Sequence, residues 1–290
     1  MRLLLVIGTI PLLLLLLAKA VKVDEILTEK NRIQSDVSIS YLNLQRNRGD
    51  VGLVQYQSAN GDYVTVPTYM GNAESQSDRL IYTLALQYGL SKDLEVFAFG
   101  NVYNSTEHSL SISGAESHHS DGFNSSGVGG VYQVRGEDNY PAVLVGGTVD
   151  LIDHDEMLKQ NFYFKSGSVF VSSYYTSDPI VFFIKASYGY SKKRSSDNHT
   201  LEMGNIANIT PQIHFAVNPY TSLNWGVRYQ YKQKDAYDGS AISINQSQLG
   251  WMFGTSYEIN AKSIISADME KSDTSTYSQS AITLNYSYKY

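Results

Sequence analysis

From residue 21 onwards, apolar positions recur at every second residue in runs of about 9–14, and each run ends in a turn. A period of two is the signature of a strand with one apolar face. No stretch keeps a helical period for more than two turns. In 223–231, Leu223, Trp225, Val227, Tyr229 and Tyr231 alternate with Asn224, Gly226, Arg228 and Gln230. In 207–217, Ala207, Ile209, Pro211, Ile213, Phe215 and Val217 alternate with Asn208, Thr210, Gln212, His214 and Ala216. Residues 249–257 set Leu249, Trp251, Phe253, Thr255 and Tyr257 against Gly250, Met252, Gly254 and Ser256. The sixth and seventh runs are noisier, with Lys165 on the parity of Val169 and Val171.

The runs predict twelve strands, at about 36–46, 79–88, 94–103, 126–134, 142–152, 161–175, 180–191, 205–217, 223–234, 244–257, 264–270 and 277–290. Five connections are short and rich in turn formers: GLSKD (89–93), RGEDNYP (135–141), TSDP (176–179), NPYTS (218–222) and INAKS (259–263). Longer polar connections alternate with them, at 47–78, 104–125, 153–160, 192–204, 235–243 and 271–276. Such alternation describes an up-and-down sheet with one tidy rim and one elaborate rim. The first long connection holds its own hairpin signal, VGLVQYQ (51–57) and DYVTV (62–66) around Asn60-Gly61. Counting it gives fourteen strands. Its second arm has only five residues before Pro67, against the ~9–11 of a tilted membrane strand, which favours a hairpin projecting from the rim. Pro211 lacks an amide donor and predicts a bulge or a shifted boundary in its strand.

Two architectures accept this patterning. A soluble sandwich buries the apolar face, whereas a membrane barrel turns it outward to lipid and keeps the polar face inside. The strands exceed the ~5–6 residues common in soluble sheets. Aromatics gather near strand ends: Tyr88, Tyr174, Tyr175, Tyr257, Tyr286 and Tyr288 beside the short turns, and Tyr103, Tyr188, Tyr190 and Tyr231 towards the long loops. Two such belts suit the two interfaces of a bilayer. The expected fold is therefore all-β: a transmembrane up-and-down antiparallel β-barrel, with a Tyr-rich secreted sandwich as the alternative.

Composition adds a compartment. Arg2, the apolar run 3–18 and Ala18-Lys19-Ala20 read as a cleavable signal peptide over residues 1–20. The sixteen-residue run, broken by Pro11, falls short of the ~20 needed for a membrane helix. The chain has 23 Tyr, 22 Gly and no Cys, so disulfides, thiolate metal sites and a lipidated Cys anchor are excluded. Without Arg2 and Lys19, 20 basic side chains face 28 acidic ones, which disfavours nucleic acid as a partner. The reading is a short periplasmic segment over 21–35, with one or two helical turns inside or below the barrel, then a barrel over 36–290 in the bacterial outer membrane. Outer-membrane lipid and the barrel assembly machinery are its expected partners.

The chain closes on AITLNYSYKY (281–290), with Ile282, Leu284, Tyr286, Tyr288 and Tyr290 on one parity. That ending resembles the assembly signal of bacterial outer-membrane barrels. More narrowly, RLIYTLALQYGLSKDLEVFAFGNVY (79–103) and SGVGGVYQVRGEDNYPAVLVGGTVDL (126–151) resemble the meta-pathway phenol-degradation family of outer-membrane proteins. Members share a "YGL-turn-LEV" hairpin, a Gly-rich strand, a turn with Pro and another strand. The chain departs from the family pattern at Ser125-Ser126-Gly127 and at Leu151-Ile152-Asp153. The resemblance implies a barrel passing small, aromatic or apolar molecules and transfers no binding residue.

The inward parity carries the candidate chemistry. Lys185, Arg228 and Lys232 form a basic set; Asp268 and Glu270 form an acidic one, joined by Asp150 and Glu95; Gln212 and His214 lie on the same parity. Opposed strips of this kind line and tune a pore, or else pair and fill it, since twelve strands fall between packed eight-stranded and open sixteen-stranded barrels. The expectation is passive passage of small solutes with no cofactor. A non-conducting surface barrel whose loops 47–78 and 104–125 bind a partner is the alternative. A lipid-modifying enzyme is a remote one, because His214 faces inward and no nucleophile motif accompanies it. His118, His119 and Asp121, or Asp153, His154, Asp155 and Glu156, bear metal-ligand side chains without a ligand-motif spacing, and polar loops collect such residues; no metal is expected.

Overall fold

The computed structural model describes residues 27–46, 52–57, 63–68, 74–111, 114–155, 158–274 and 277–290. Twelve strands form the closed ring of one sheet, to which a three-residue strand, Gln160–Phe162, adds beside the end of the fifth: β1 (Ile33–Arg46), β2 (Glu74–Gly89), β3 (Leu94–Ser111), β4 (Gly114–Arg135), β5 (Ala142–Asp155) and β6 (Ser166–Ser177). The second half is β7 (Ile180–Ser191), β8 (Ile206–Asn218), β9 (Thr221–Lys232), β10 (Gln246–Asn260), β11 (Ser263–Asp273) and β12 (Tyr277–Lys289). Each strand pairs antiparallel with its sequence neighbours, and β12 closes on β1 with Ile39 opposite Leu284 and Val37 opposite Tyr286. Closure is what lipid demands. An open edge would strand backbone N–H and C=O groups where no water can reach them, at several kcal/mol each.

Side chains sort by parity as the sequence predicts. Val37, Ile39, Leu84, Leu86, Ile184, Leu223, Trp225, Trp251, Phe253, Ile282 and Leu284 all point outward and are exposed. Asp36, Ser38, Ser40, Thr83, Asn101, Lys185, Thr210, Arg228 and Thr283 point inward and are buried. A soluble sandwich would reverse these two sets. Among the described residues no helix is long and apolar enough to cross a membrane.

The two rims differ. One carries short turns at 90–93, 136–141, 178–179, 219–220 and 261–262. At the other, the hairpin over Gly52–Gln57 and Tyr63–Thr68 is a separate two-stranded sheet with Leu53 opposite Pro67, so the barrel count is twelve. A small four-stranded sheet over Arg194–Ser196, His199–Glu202, Ala236–Tyr237 and Ser240–Ala241 also sits at the long-loop rim. Leu201 and Met203 pack there with Leu158, Tyr237 and Ile242.

Four expectations are corrected. Residues 104–125 are not a loop: β3 and β4 continue as a long hairpin until Ser111 faces Gly114. Beyond the bilayer both faces are wet, so the ladder persists without an apolar parity. Pro211 brings no register shift, pairing with Ile184 of β7; Thr210 and Pro211 simply drop out of the ladder to β9, and the irregularity lies at Ala216/Asn218. Tyr103 and Tyr174 belong to no aromatic belt. Both are buried inside, Tyr103 beneath the Arg79 guanidinium and Tyr174 against Ala142, Leu144 and Val181. Finally, the described part of the 21–35 segment, residues 27–35, forms no helical turn, and residues 21–26 lie outside the described residues. Lys30 bridges Gly89 in parallel, and the Asn31 amide donates to the Gly89 carbonyl at 2.7 Å. The signal peptide lies outside the described residues.

Candidate functional site: a cavity inside the barrel

The interior is two-faced. On the β3–β7 side, Phe97 and Phe99 point inward and lie flat over Gly129 and Gly127. A Cβ on Gly129 would stand 2.3 Å from the Phe97 ring and 2.7 Å from the Gly147 carbonyl, so only glycine admits the ring there. Phe170 covers Gly146 in the same way. Leu144, Val131 and Phe183 extend this aromatic and aliphatic wall. Phe97, Phe99 and Phe170 were not singled out from the sequence. The other parity of β3 (Leu94, Val96, Ala98, Val102) is apolar too, so alternation alone does not say which face is inside.

The wall over β8–β12 and β1 is polar. Asp268 accepts from Asn224 Nδ2 at 3.0 Å. It lies over Gly254, where a Cβ would come within 2.0 Å of its Oδ1. Asp36 accepts from Gln34 and Gln87, and across on β3, two residues before Phe97, Glu95 accepts the Thr28 amide at 2.6 Å. That last bond draws the chain before β1 into the short-turn mouth. Leu27 there packs on the cluster of Ala142, Leu144, Tyr174 and Val181. Between the walls is a cavity of about 400 Å³, within the ~300–1,000 Å³ common for small-molecule sites.

The residues expected in the lumen divide in two. Lys185, Gln212, His214, Asp268 and Glu270 all line this cavity. Lys185 Nζ stands 4.1 Å from the Phe170 ring centroid, a cation–π contact. His214 Nε2 and Gln212 Oε1 are 3.2 Å apart, and the His214 ring meets Phe183 edge-on at 6.1 Å. Arg228 is buried in the wall, where its Nε donates to Glu270 Oε1 at 3.0 Å and its Nη2 pairs with Oε2. Lys232 lies towards the long-loop end, paired with buried Asp235, which also holds Ser243 and the Gly204 amide.

The acidic loop residues serve other contacts. Asp153 and Asp155 both pair with buried Arg194, which also donates to Ser166 at 2.9 Å. His154 bonds Asn161, and among the described residues no group of three or more His, Asp or Glu is placed to hold a metal. Glu156 lies outside the described residues. At the long-loop rim, Asp238 accepts from His199 at 2.8 Å and from the Thr200 amide at 2.6 Å. These hydrogen bonds, that of His199 foremost, hold the Asp238 carboxyl below the ordinary carboxylate value.

No family model matches the chain, and no curated protein matches it in sequence. Among solved structures, an outer-membrane channel from Pseudomonas putida F1 superposes with a TM-score of 0.56 at 14% identity, over 88% of this chain and 95% of that one. The transport unit of the autotransporter AIDA-I from Escherichia coli gives 0.52 at 12% identity, over 97% of each chain. The CymD monoaromatic hydrocarbon channel gives 0.51 at 11% identity, over 90% of this chain and 89% of that one. The chain thus has the fold of bacterial outer-membrane β-barrels, a closed twelve-stranded sheet with an apolar exterior and a lined interior.

Proposed function

We propose that this barrel sits in the outer membrane and passes small solutes passively through its interior. The observation that carries the reading is the cavity of about 400 Å³ held inside a closed barrel between an aromatic and a polar wall. A barrel that served only as a scaffold would gain by filling that space. The fold alone does not choose, since it is shared by solute channels and an autotransporter transport unit. The Phe170, Phe183 and Leu144 wall supports aromatic or apolar solutes among those passed. So do the hairpins resembling the phenol-degradation family and the likeness to a monoaromatic hydrocarbon channel. On this reading the short turns face the periplasm, the long loops face outward, and Lys185, Asp268, Glu270, Gln212 and His214 tune selectivity at the cavity. Arg228 and Lys232 hold the wall that positions them.

Uptake into proteoliposomes tests this. Vesicles carrying refolded protein should swell in an isotonic small neutral solute faster than protein-free vesicles, and an equal rate would contradict the proposal. The energy source is the solute gradient alone, so swelling should need no nucleotide or ion gradient.

A further inference from the structure

Four carboxylates line the cavity, and three of them have no cationic partner among the described residues. Asp36 accepts from Gln34, Gln87 and Ser287; Glu95 from Thr28; Asp268 from Asn224. The ion pairs among the described residues include none of the three. Glu270, by contrast, is matched by Arg228. Burying a charged carboxylate without a counter-charge is costly, and a mobile cation offsets that cost.

A second observation points the same way. Two cavity-lining side chains, Thr210 and Asn285, are only 1% and 9% exposed, and each keeps a polar atom without a hydrogen-bond partner. In Asn285 this is the amide oxygen, while the nitrogen donates to Ser287 at 3.1 Å. Its strand neighbours link it to both acids: Ser287 lies opposite Asp36, and Thr283 opposite Asp268. Asn285 Oδ1 is thus an unused acceptor beside these acids, and the Thr210 hydroxyl can donate or accept. Across from the polar wall lie Leu144, Phe170 and Phe183, a surface for a ring or short alkyl body.

We propose that the cavity binds, as a step of passage, a small primary-ammonium solute with an apolar ring-sized body. The ammonium has three donors to offer Asp268 and Asn285, which lie diagonally on neighbouring strands, while Asp36 and Glu95 add negative charge to the cavity, and the ring lies on the phenylalanine wall. Size permits it, since ~150 Å³ already holds a benzene molecule. Lys185 lines the same cavity, over the Phe170 ring. Its single positive charge is outnumbered by the three carboxylates, so the net field at the cavity favours cations.

This inference rests on the channel reading, and the experiment separates the two. Refolded full-length barrel in detergent micelles is titrated calorimetrically with benzylammonium chloride, benzyl alcohol and sodium benzoate, and the same preparation is recorded in planar bilayers. Benzylammonium should bind at least about tenfold more tightly than benzyl alcohol, a difference of about 1.4 kcal/mol, with benzoate weaker still. Asp268→Asn should lower benzylammonium affinity by about tenfold, as for loss of one charged hydrogen bond, and leave benzyl alcohol unchanged. Should that variant fail to show a barrel by circular dichroism, Asn285→Ala serves, with a smaller loss in the same direction. Equal affinity for the three probes, or no benzylammonium heat, overturns the inference. Binding of benzylammonium without current steps overturns the channel reading and leaves the site standing. Current steps without benzylammonium binding do the opposite.

Discussion

Glu270 and Arg228 face each other inside the wall, Arg228 at 3% exposure, and their bond is bidentate. Removing one member leaves the other charged and desolvated, which costs about 3–5 kcal/mol. Glu270→Ala should therefore lower the urea midpoint of the barrel in micelles substantially, whereas Glu270→Gln, which keeps an acceptor for the guanidinium, should cost less. Equal midpoints would show that water reaches Arg228 freely. Asp238 gives a milder, pH-coded test at the rim. Its carboxyl is held below the ordinary value of about 3.9, so the contact it makes is fully present above that pH and is lost as pH falls through the depressed value. Protection of the Thr200 amide, which Asp238 accepts, should hold from pH 8 down to about 4 and fall only below it. Loss of protection already near pH 6 would contradict the assignment. The residue scale is also where the sequence was least legible. Tyr174 and Tyr175 are adjacent, so in a strand only one can face lipid; Tyr175 does, at 41% exposure, and Tyr174 is buried inside. Phe97 and Phe99 stayed hidden because both faces of β3 are apolar, and the deciding feature is the glycine pair on the neighbouring strand that makes room for their rings.

At the scale of elements, β12 is where sequence and structure meet most closely. Its outward Ile282, Leu284 and Tyr286 are exposed, Tyr288 and Tyr290 stack edge-to-face at 4.8 Å, and the Tyr290 amide donates to the Ile33 carbonyl at 2.9 Å. We propose that this same parity is read by the assembly machinery. Deleting Tyr290 removes a single backbone bond from the closing ladder, so refolded protein should lose little stability. Its insertion in cells should fall severalfold, measured as outer-membrane yield. Normal insertion of the truncated chain would sink the assembly reading. The strand walls carry a depth-dependent test of their own. Ile184, exposed in the middle of β7, should cost about 2–4 kcal/mol when replaced by Arg, as lipid-facing sites near the bilayer midplane do. The segment Leu27–Arg32 is too short for a period, and the helical turns expected over 21–35 do not form there. Its place is set by single contacts, Thr28 to Glu95 and Leu27 to the Leu144 cluster, that span the barrel mouth.

For the whole molecule, alternation, turn spacing and loop asymmetry were enough to read twelve strands, closure and which parity faces out. They could not give the lumen its character. An interior position is polar or apolar according to what stands opposite it across the barrel, and a linear period carries no information about that distance. Leu42, Leu44, Ile81, Tyr103 and Ala281 pack together from β1, β2, β3 and β12 inside the barrel, although an interior of polar residues is the simpler expectation from the sequence. The interior is thus partly filled on one side and open at the cavity, and conduction is the property that follows from how much stays open. Lys185 lines that cavity, unlike Arg228, which is tied into the wall, and so its charge is the one to vary. The most direct test is a planar-bilayer recording of purified, refolded protein under a salt gradient, comparing the native chain with Lys185→Glu. The account predicts discrete current steps, with a reversal potential that moves towards cation selectivity in the variant. Protein with the circular dichroism of a barrel that yields no steps would contradict it.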